Sequence, residues 1–284
     1  NVPAEWLLCG NGAADLIFRL VLAAKPRTAL VTAPTFAEYA TALEIVGCTV
    51  KRHFLTEAND FAVTDAILDA VTPDVDLVFL CQPNNPTGQL AEPALVEALL
   101  RRCEACGAVL AMDECFLDFL PEGDALSAKH LLKSSGSLVI LKAFTKLYGM
   151  AGVRLGYCLC SDENCLARMQ TAGQPWAVSS LAQAAGIAAL DETAYVEQVR
   201  TLIKTQRPML ADGLRALGLR VIEGKANYLL FRAPETLGDA LKQKGAVLRS
   251  CGNYPGLDAG WYRTAVRTEA ENQQLLALLR EVLA

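Results

Sequence analysis

Short apolar, β-branched runs alternate along this chain with stretches whose apolar positions recur at helical spacing. "TALVTA" precedes a helical pattern from Phe36 to Gly47, "LVFLC" precedes another from Glu92 to Cys106, and "AVLAMD", "SLVIL" and "LGYCL" follow. Strands covered on both faces read as continuous apolar runs, so the alternation predicts an α/β domain with a mostly parallel sheet. From about Asp191 to Leu217 the pattern predicts one long helix, with a break expected near Pro208. Beyond it "NYLLFR", "AVLRS" and "WYRTAVR" alternate with two helical stretches, which predicts a smaller α+β domain. The expected division is residues 1–200 and 201–284, with no internal repeat and no flexible linker, the two parts packing rigidly through the long helix.

A hydrophobic content of 52% over 284 residues supports a sizeable core. The formal charge of -5 is spread over mixed acids and bases, which argues against a nucleic-acid surface and for a small-molecule partner. No apolar stretch is long enough to span a bilayer, and "NVPAEWLLCG" lacks the regions of a signal peptide, so the expectation is a soluble, cytoplasmic protein with no membrane partner. The ten cysteines sit mostly in apolar segments and are expected as core thiols, not a disulfide framework. Cys103 and Cys106 form one CxxC with no second pair at zinc-like spacing, and His53 and His130 are the only histidines. No metal site is expected, and proton transfer must fall to another residue type.

Four places can carry chemistry. Lys146 lies in "LKAFTKLYGMAGVRLGY", where so apolar a setting predicts a desolvated, reactive amine. Asp113 ends the buried run "AVLAMD", the edge at which parallel sheets present ligand-binding groups. "CQPNNPTGQL" follows a strand and predicts a tight turn that aims Asn84 or Asn85 at the same edge. "CGNGAADLIF" places Gly10 and Gly12 before a helix whose free amides can hold a phosphate. An amine, a carboxylate, an amide and a phosphate cradle are together what pyridoxal 5'-phosphate needs.

In their order, "GNGAAD", "PTFAEY", "PNNPTG", "MDECF", "FTK" and "GVRLGY" resemble the fold-type-I pyridoxal-phosphate family, the class I and II aminotransferases, over essentially the whole chain. The resemblance implies Lys146 as the Schiff-base lysine and Asp113 as the partner of the pyridine nitrogen. It implies Asn85 as partner of the ring's phenolic oxygen and of substrate, and Phe36 as the stacking aromatic. It implies that Phe116 lines the cofactor and that Gly12, Ala13, Ala14, Thr145 and Arg154 hold its phosphate. Arg263 is implied to grip the substrate carboxylate, and Arg249 is a second substrate-side cation. The family also implies a homodimer and several tens of residues ahead of Asn1 that cover the active site.

The branch most resembled contains histidinol-phosphate aminotransferases and threonine-phosphate decarboxylases. Phe116, where aminotransferases of the branch carry a tyrosine, and Arg267, where they carry a glycine, both resemble the decarboxylases, as do "PWAVSSLAQAAG" and "RSCGNYPGLDAGWYRTAVR". The implied reaction is decarboxylation of L-threonine O-3-phosphate to (R)-1-amino-2-propanol O-2-phosphate for cobalamin biosynthesis, with transamination of the histidinol-phosphate type as the alternative. Ala143 stands where relatives carry serine or threonine, a lost phosphate contact of roughly 1 to 3 kcal/mol. A ligand-sensing module on the same fold is disfavoured because no helix-turn-helix pattern or basic extension is present.

Overall fold

The computed structural model describes residues 2–284. In chain order the larger layer holds β1 (Leu7–Gly10), α1 (Gly12–Ala24), β2 (Thr28–Ala33), α2 (Glu38–Ile45), β3 (Thr49–Phe54), α3 (Ala66–Ala70), β4 (Leu77–Cys81), α4 (Pro93–Cys106), β5 (Val109–Asp113), α5 (Gly123–Leu126), β6 (Leu138–Ala143), α6 (Phe144–Leu147), β7 (Gly156–Leu159), α7 (Glu163–Thr171) and α8 (Ser180–Leu190). The long α9 (Thr193–Ala216) leads to β8 (Arg220–Ile222), β9 (Tyr228–Arg232), α10 (Leu237–Gln243), β10 (Arg249–Ser250), β11 (Trp261–Ala265) and α11 (Glu269–Leu283).

Seven strands form one sheet in the order β1-β7-β6-β5-β4-β2-β3, and four form a second in the order β10-β11-β9-β8. Strands β3, β2, β4, β5 and β6 run parallel, and β7 runs antiparallel to both β6 and β1. The chain passes from β2 out to β3 and then back to β4 on the other side of β2. That reversal makes a topological switch point at the carboxyl ends of β2 and β4, where open sheets bind ligands.

Every residue of β4 is buried, as its unbroken apolar run requires. Helix α1 covers one face of the sheet with Leu16, Ile17, Leu20 and Val21, and α4 covers the other with Leu95, Val96, Leu99 and Leu100. Helix α4 starts on Pro93 and ends against Gly107 at φ 73, and α11 opens with a Thr268/Glu271 capping box. All ten cysteines are free thiols and eight are buried. Among the described residues no helix is long and apolar enough to cross a membrane.

Element boundaries differ from the sequence expectation in several places, and the helix expected from Phe36 to Gly47 spans Glu38–Ile45. The helix expected from Asp191 to Leu217 begins at Thr193, is preceded by α8, and runs unbroken through Pro208. Pro208 lies on the exposed face, so the carbonyl it leaves unpaired points away from the core while Ile203, Leu210, Ala211 and Leu214 stay packed beneath. The strand expected over "AVLRS" shrinks to Arg249–Ser250.

Candidate active site

The elements that meet at the switch point each deliver one group. Gly12 opens α1 at φ +77, and a Cβ there would fall 2.8 Å from Nη2 of Arg154. A Cβ on Gly156 would fall 2.6 Å from the amide nitrogen of Ala13. These two glycines therefore let the Arg154 guanidinium close on the first turn of α1, whose amides have no intrahelical acceptor. Arg154 itself is held at φ 64, its Nη1 donating to the Ala151 carbonyl at 3.1 Å. Positive helix end and guanidinium converge on one spot, as an anion requires.

Asp113 closes β5 and is 5% exposed. Its Oδ2 accepts from the Tyr39 hydroxyl at 2.5 Å and its Oδ1 from the Cys115 amide at 3.0 Å. Burial, together with the Asp113 carboxylate, raises the pKa of the Cys81 and Cys115 thiols, which stay neutral beside it. Phe36 follows β2 and packs edge-on against Tyr39.

The turn after β4 resolves the choice between its two asparagines. Asn84 is consumed inside the turn, accepting from Thr35 Oγ1 at 2.8 Å and donating to the Pro34 carbonyl and Thr87 Oγ1. Asn85 faces the cavity, its Oδ1 accepting from Nη1 of Arg263 on β11. Tyr228, on β9, donates its hydroxyl to the Asn84 carbonyl at 2.9 Å and lies under the Arg263 guanidinium at 4.9 Å.

These groups line one cavity of about 190 Å³: Ala13, Ala14, Phe36, Asn85, Asp113, Phe116, Thr145, Lys146 and Arg154 all face it. A wider cleft of about 560 Å³ adjoins it, sharing Phe116 and Lys146 and adding Arg249, Arg263 and Arg267. Strand register sets Arg249 directly opposite Arg263. Opposed like charges on one face cost stability unless an anion lies between them.

Lys146 requires a correction. Its side chain is exposed, not desolvated among apolar neighbours, because α6 turns it out of the sheet edge toward the junction of the two cavities. Its Nζ stands 5.2 Å from the centroid of the Phe116 ring. The buried lysine of this stretch is Lys142 on β6, 6% exposed and paired with Asp118 at 2.7 Å and Glu114 at 3.3 Å. Burial pulls the Lys142 ammonium down, but the two carboxylates outweigh it and hold its pKa above the ordinary lysine value.

Sequence reasoning also missed Tyr39 and Tyr228. Tyr39 sits three residues after Phe36 on the same helix entry, a spacing that puts both rings on one side, so Phe36 was the available signal. Tyr228 reads as an ordinary strand residue, and only the strand's placement beside the Asn84 turn reveals it. The residues present fit pyridoxal 5'-phosphate: the cradle between Gly12 and Arg154 that a Cβ would fill suits its phosphate, and a buried carboxylate among neutral donors suits its ring nitrogen.

Known proteins resemble this chain in sequence and in fold. The family of class I and II aminotransferases matches residues 2–279. Threonine-phosphate decarboxylase of Salmonella typhimurium is 42% identical, over 100% of this chain and 78% of that protein. Histidinol-phosphate aminotransferase of Symbiobacterium thermophilum is 34% identical over the same shares of the two chains, 100% and 78%. The crystal structure of the histidinol-phosphate aminotransferase from Clostridium acetobutylicum superposes with a TM-score of 0.92 at 29% identity, covering 98% of this chain and 84% of that one. The chain belongs to the class I and II aminotransferase family, whose cofactor is pyridoxal 5'-phosphate.

Proposed function

We propose that the protein decarboxylates L-threonine O-3-phosphate to (R)-1-amino-2-propanol O-2-phosphate, a building block for cobalamin. The observation that carries the substrate class is the register that sets Arg249 opposite Arg263 over the cleft shared with Lys146. Two facing guanidiniums suit a substrate with two anionic groups, a carboxylate and a phosphate. The 42% identity to threonine-phosphate decarboxylase and the absence of a hydroxyl at Phe116 support the lyase over the transferase.

Arg154, the amides of Ala13 and Ala14, and the Thr145 hydroxyl hold the cofactor's phosphate. Asp113 keeps a proton on the ring nitrogen, since a close carboxylate raises a pyridinium pKa by about 1 to 3 units. Asn85 offers its amide to the ring oxygen while its carbonyl anchors Arg263. Lys146 would hold the cofactor before substrate arrives and, once substrate takes its place, would be the free amine placed to carry a proton to and from the α-carbon. The bound cofactor supplies an electron sink for the pair left on carbon when its bond to the carboxylate breaks. Arg263 would orient that carboxylate and Arg249 would face the substrate's phosphate, and the proton that replaces carbon dioxide would come from Lys146.

Transamination of the histidinol-phosphate type is the second reading, favoured by the 34% identical aminotransferase, and the same lysine and asparagine would serve it. With the cofactor-loaded protein and L-threonine O-3-phosphate alone, the expected outcome is carbon dioxide release with one amine formed per molecule lost. Glutamate formation from histidinol phosphate and 2-oxoglutarate, without carbon dioxide from the first substrate, would establish the aminotransferase instead.

The proposed assembly is a homodimer in the cytoplasm. Helix α8 and the segment before it expose Trp176, Leu181, Ile187 and Leu190 at 95%, 80%, 70% and 63%, an apolar face that a second copy would cover. Light scattering is expected to give twice the 30.5 kDa of the chain; a monomer at micromolar concentration would refute the dimer.

A further inference from the structure

Tyr39 is buried to 1% exposure and titratable, and the mechanism above gives it no part. Its ring stacks on Phe79 of β4 with centroids 4.7 Å apart and planes 7° from parallel, and Phe36 packs on its edge. That packing fixes the hydroxyl in direction, and the hydroxyl donates to Oδ2 of Asp113 at 2.5 Å. Burial first, and the neighbouring carboxylate second, push the phenol well above its ordinary pKa, so it remains a donor throughout the working range.

The surroundings of Asp113 make this bond consequential. The Tyr39 hydroxyl and the Cys115 amide donate to its carboxylate at 2.5 and 3.0 Å, the Cys115 thiol also turns toward it, and burial holds that thiol and the Cys81 thiol neutral. None of these donors is a cation, so none competes with a cation presented to the carboxylate from the cavity. Among these donors the Tyr39 hydroxyl makes the short oxygen-to-oxygen bond, and the stacked ring sets its direction.

We propose that Tyr39 is a positioning residue for cofactor binding: its hydroxyl locks the Asp113 carboxylate in rotation and fixes how strongly that carboxylate holds the cofactor's protonated ring nitrogen. The inference rests on the reading that Asp113 meets that nitrogen. It places the control of the electron sink on the segment after β2, outside the motif that carries Asp113.

The test is a double-mutant cycle read by cofactor affinity and by the pH midpoint of the bound cofactor's visible band, not by turnover. Tyr39→Phe keeps the stacked ring and removes only the hydroxyl, and it is expected to weaken pyridoxal-phosphate binding by about tenfold and to move the spectral midpoint. In an Asp113→Asn background the same substitution is expected to change affinity less than about twofold, because the partner it acts through is gone. Equal losses in both backgrounds would overturn the role of Tyr39 while leaving the cofactor site standing. An Asp113→Asn protein with unchanged affinity and spectrum would overturn both. Should Tyr39→Phe fail to fold, a ring-difluorinated tyrosine at position 39 preserves shape and strengthens the donor; a shifted midpoint supports the proposal and an unshifted one overturns it.

Discussion

Lys146→Ala is expected to lower turnover by about 10⁴-fold or more, because it removes at once the covalent hold on the cofactor and the proton carrier at the α-carbon. The fold should not notice. The Lys146 side chain is exposed at the mouth of two cavities, and its contact with the protein is the face of Phe116 at 5.2 Å. Truncating an exposed side chain of this kind changes stability by about 0.5 kcal/mol at most. Steady-state kinetics with unfolding curves on the same preparation separate the two effects. A variant within tenfold of the parent would remove Lys146 from the chemistry, whereas an unfolded one would contradict its placement at the rim.

Lys142→Ala should do the opposite, unfolding the protein more readily by about 3 to 5 kcal/mol. It strands Glu114, which is fully buried and accepts from Ser127 Oγ and the Ala128 amide as well as facing Lys142. Burial already raises the Glu114 pKa, and Lys142 is the principal influence opposing that rise. Adding Glu114→Gln to Lys142→Met should recover part of the loss, since no uncompensated charge is then left inside. The sign of the pH dependence follows from the raised Lys142 pKa: its contribution is complete below the unfolded lysine value of about 10.4 and is lost as pH rises beyond it. Urea unfolding at neutral and alkaline pH reads both effects. A Lys142→Ala protein as stable as the parent would mean that the ion pair does not hold β6 to the segment after β5.

These two lysines show what was legible in the chain and what was not. The continuous apolar runs of β2, β4, β5 and β6 announce strands covered on both faces, and the groups that follow their carboxyl ends were found from that pattern together with the family motifs. Which lysine of "LKAFTKLYG" lies inside could not be read, because Lys142 continues a strand while Lys146 stands in the first helical turn after it. Local apolarity is the same for both, and only the change of period separates them. Pairing between distant segments was equally hidden: Arg263 reaching Asn85, Tyr39 reaching Asp113, and Tyr228 reaching the Asn84 carbonyl join residues 178, 74 and 144 positions apart. The α9 boundary failed for a different reason, since tertiary packing along Ile203, Leu210 and Leu214 overrides the local cost of Pro208.

Borohydride reduction of the cofactor-loaded protein, followed by digestion and mass mapping of the modified peptide, tests the central claim most directly. The account predicts one pyridoxyl-phosphate group per chain, on Lys146, at the junction where the phosphate cradle, Asp113 and the two arginines meet. Modification at Lys142 or at a surface lysine, or none at all, would contradict it.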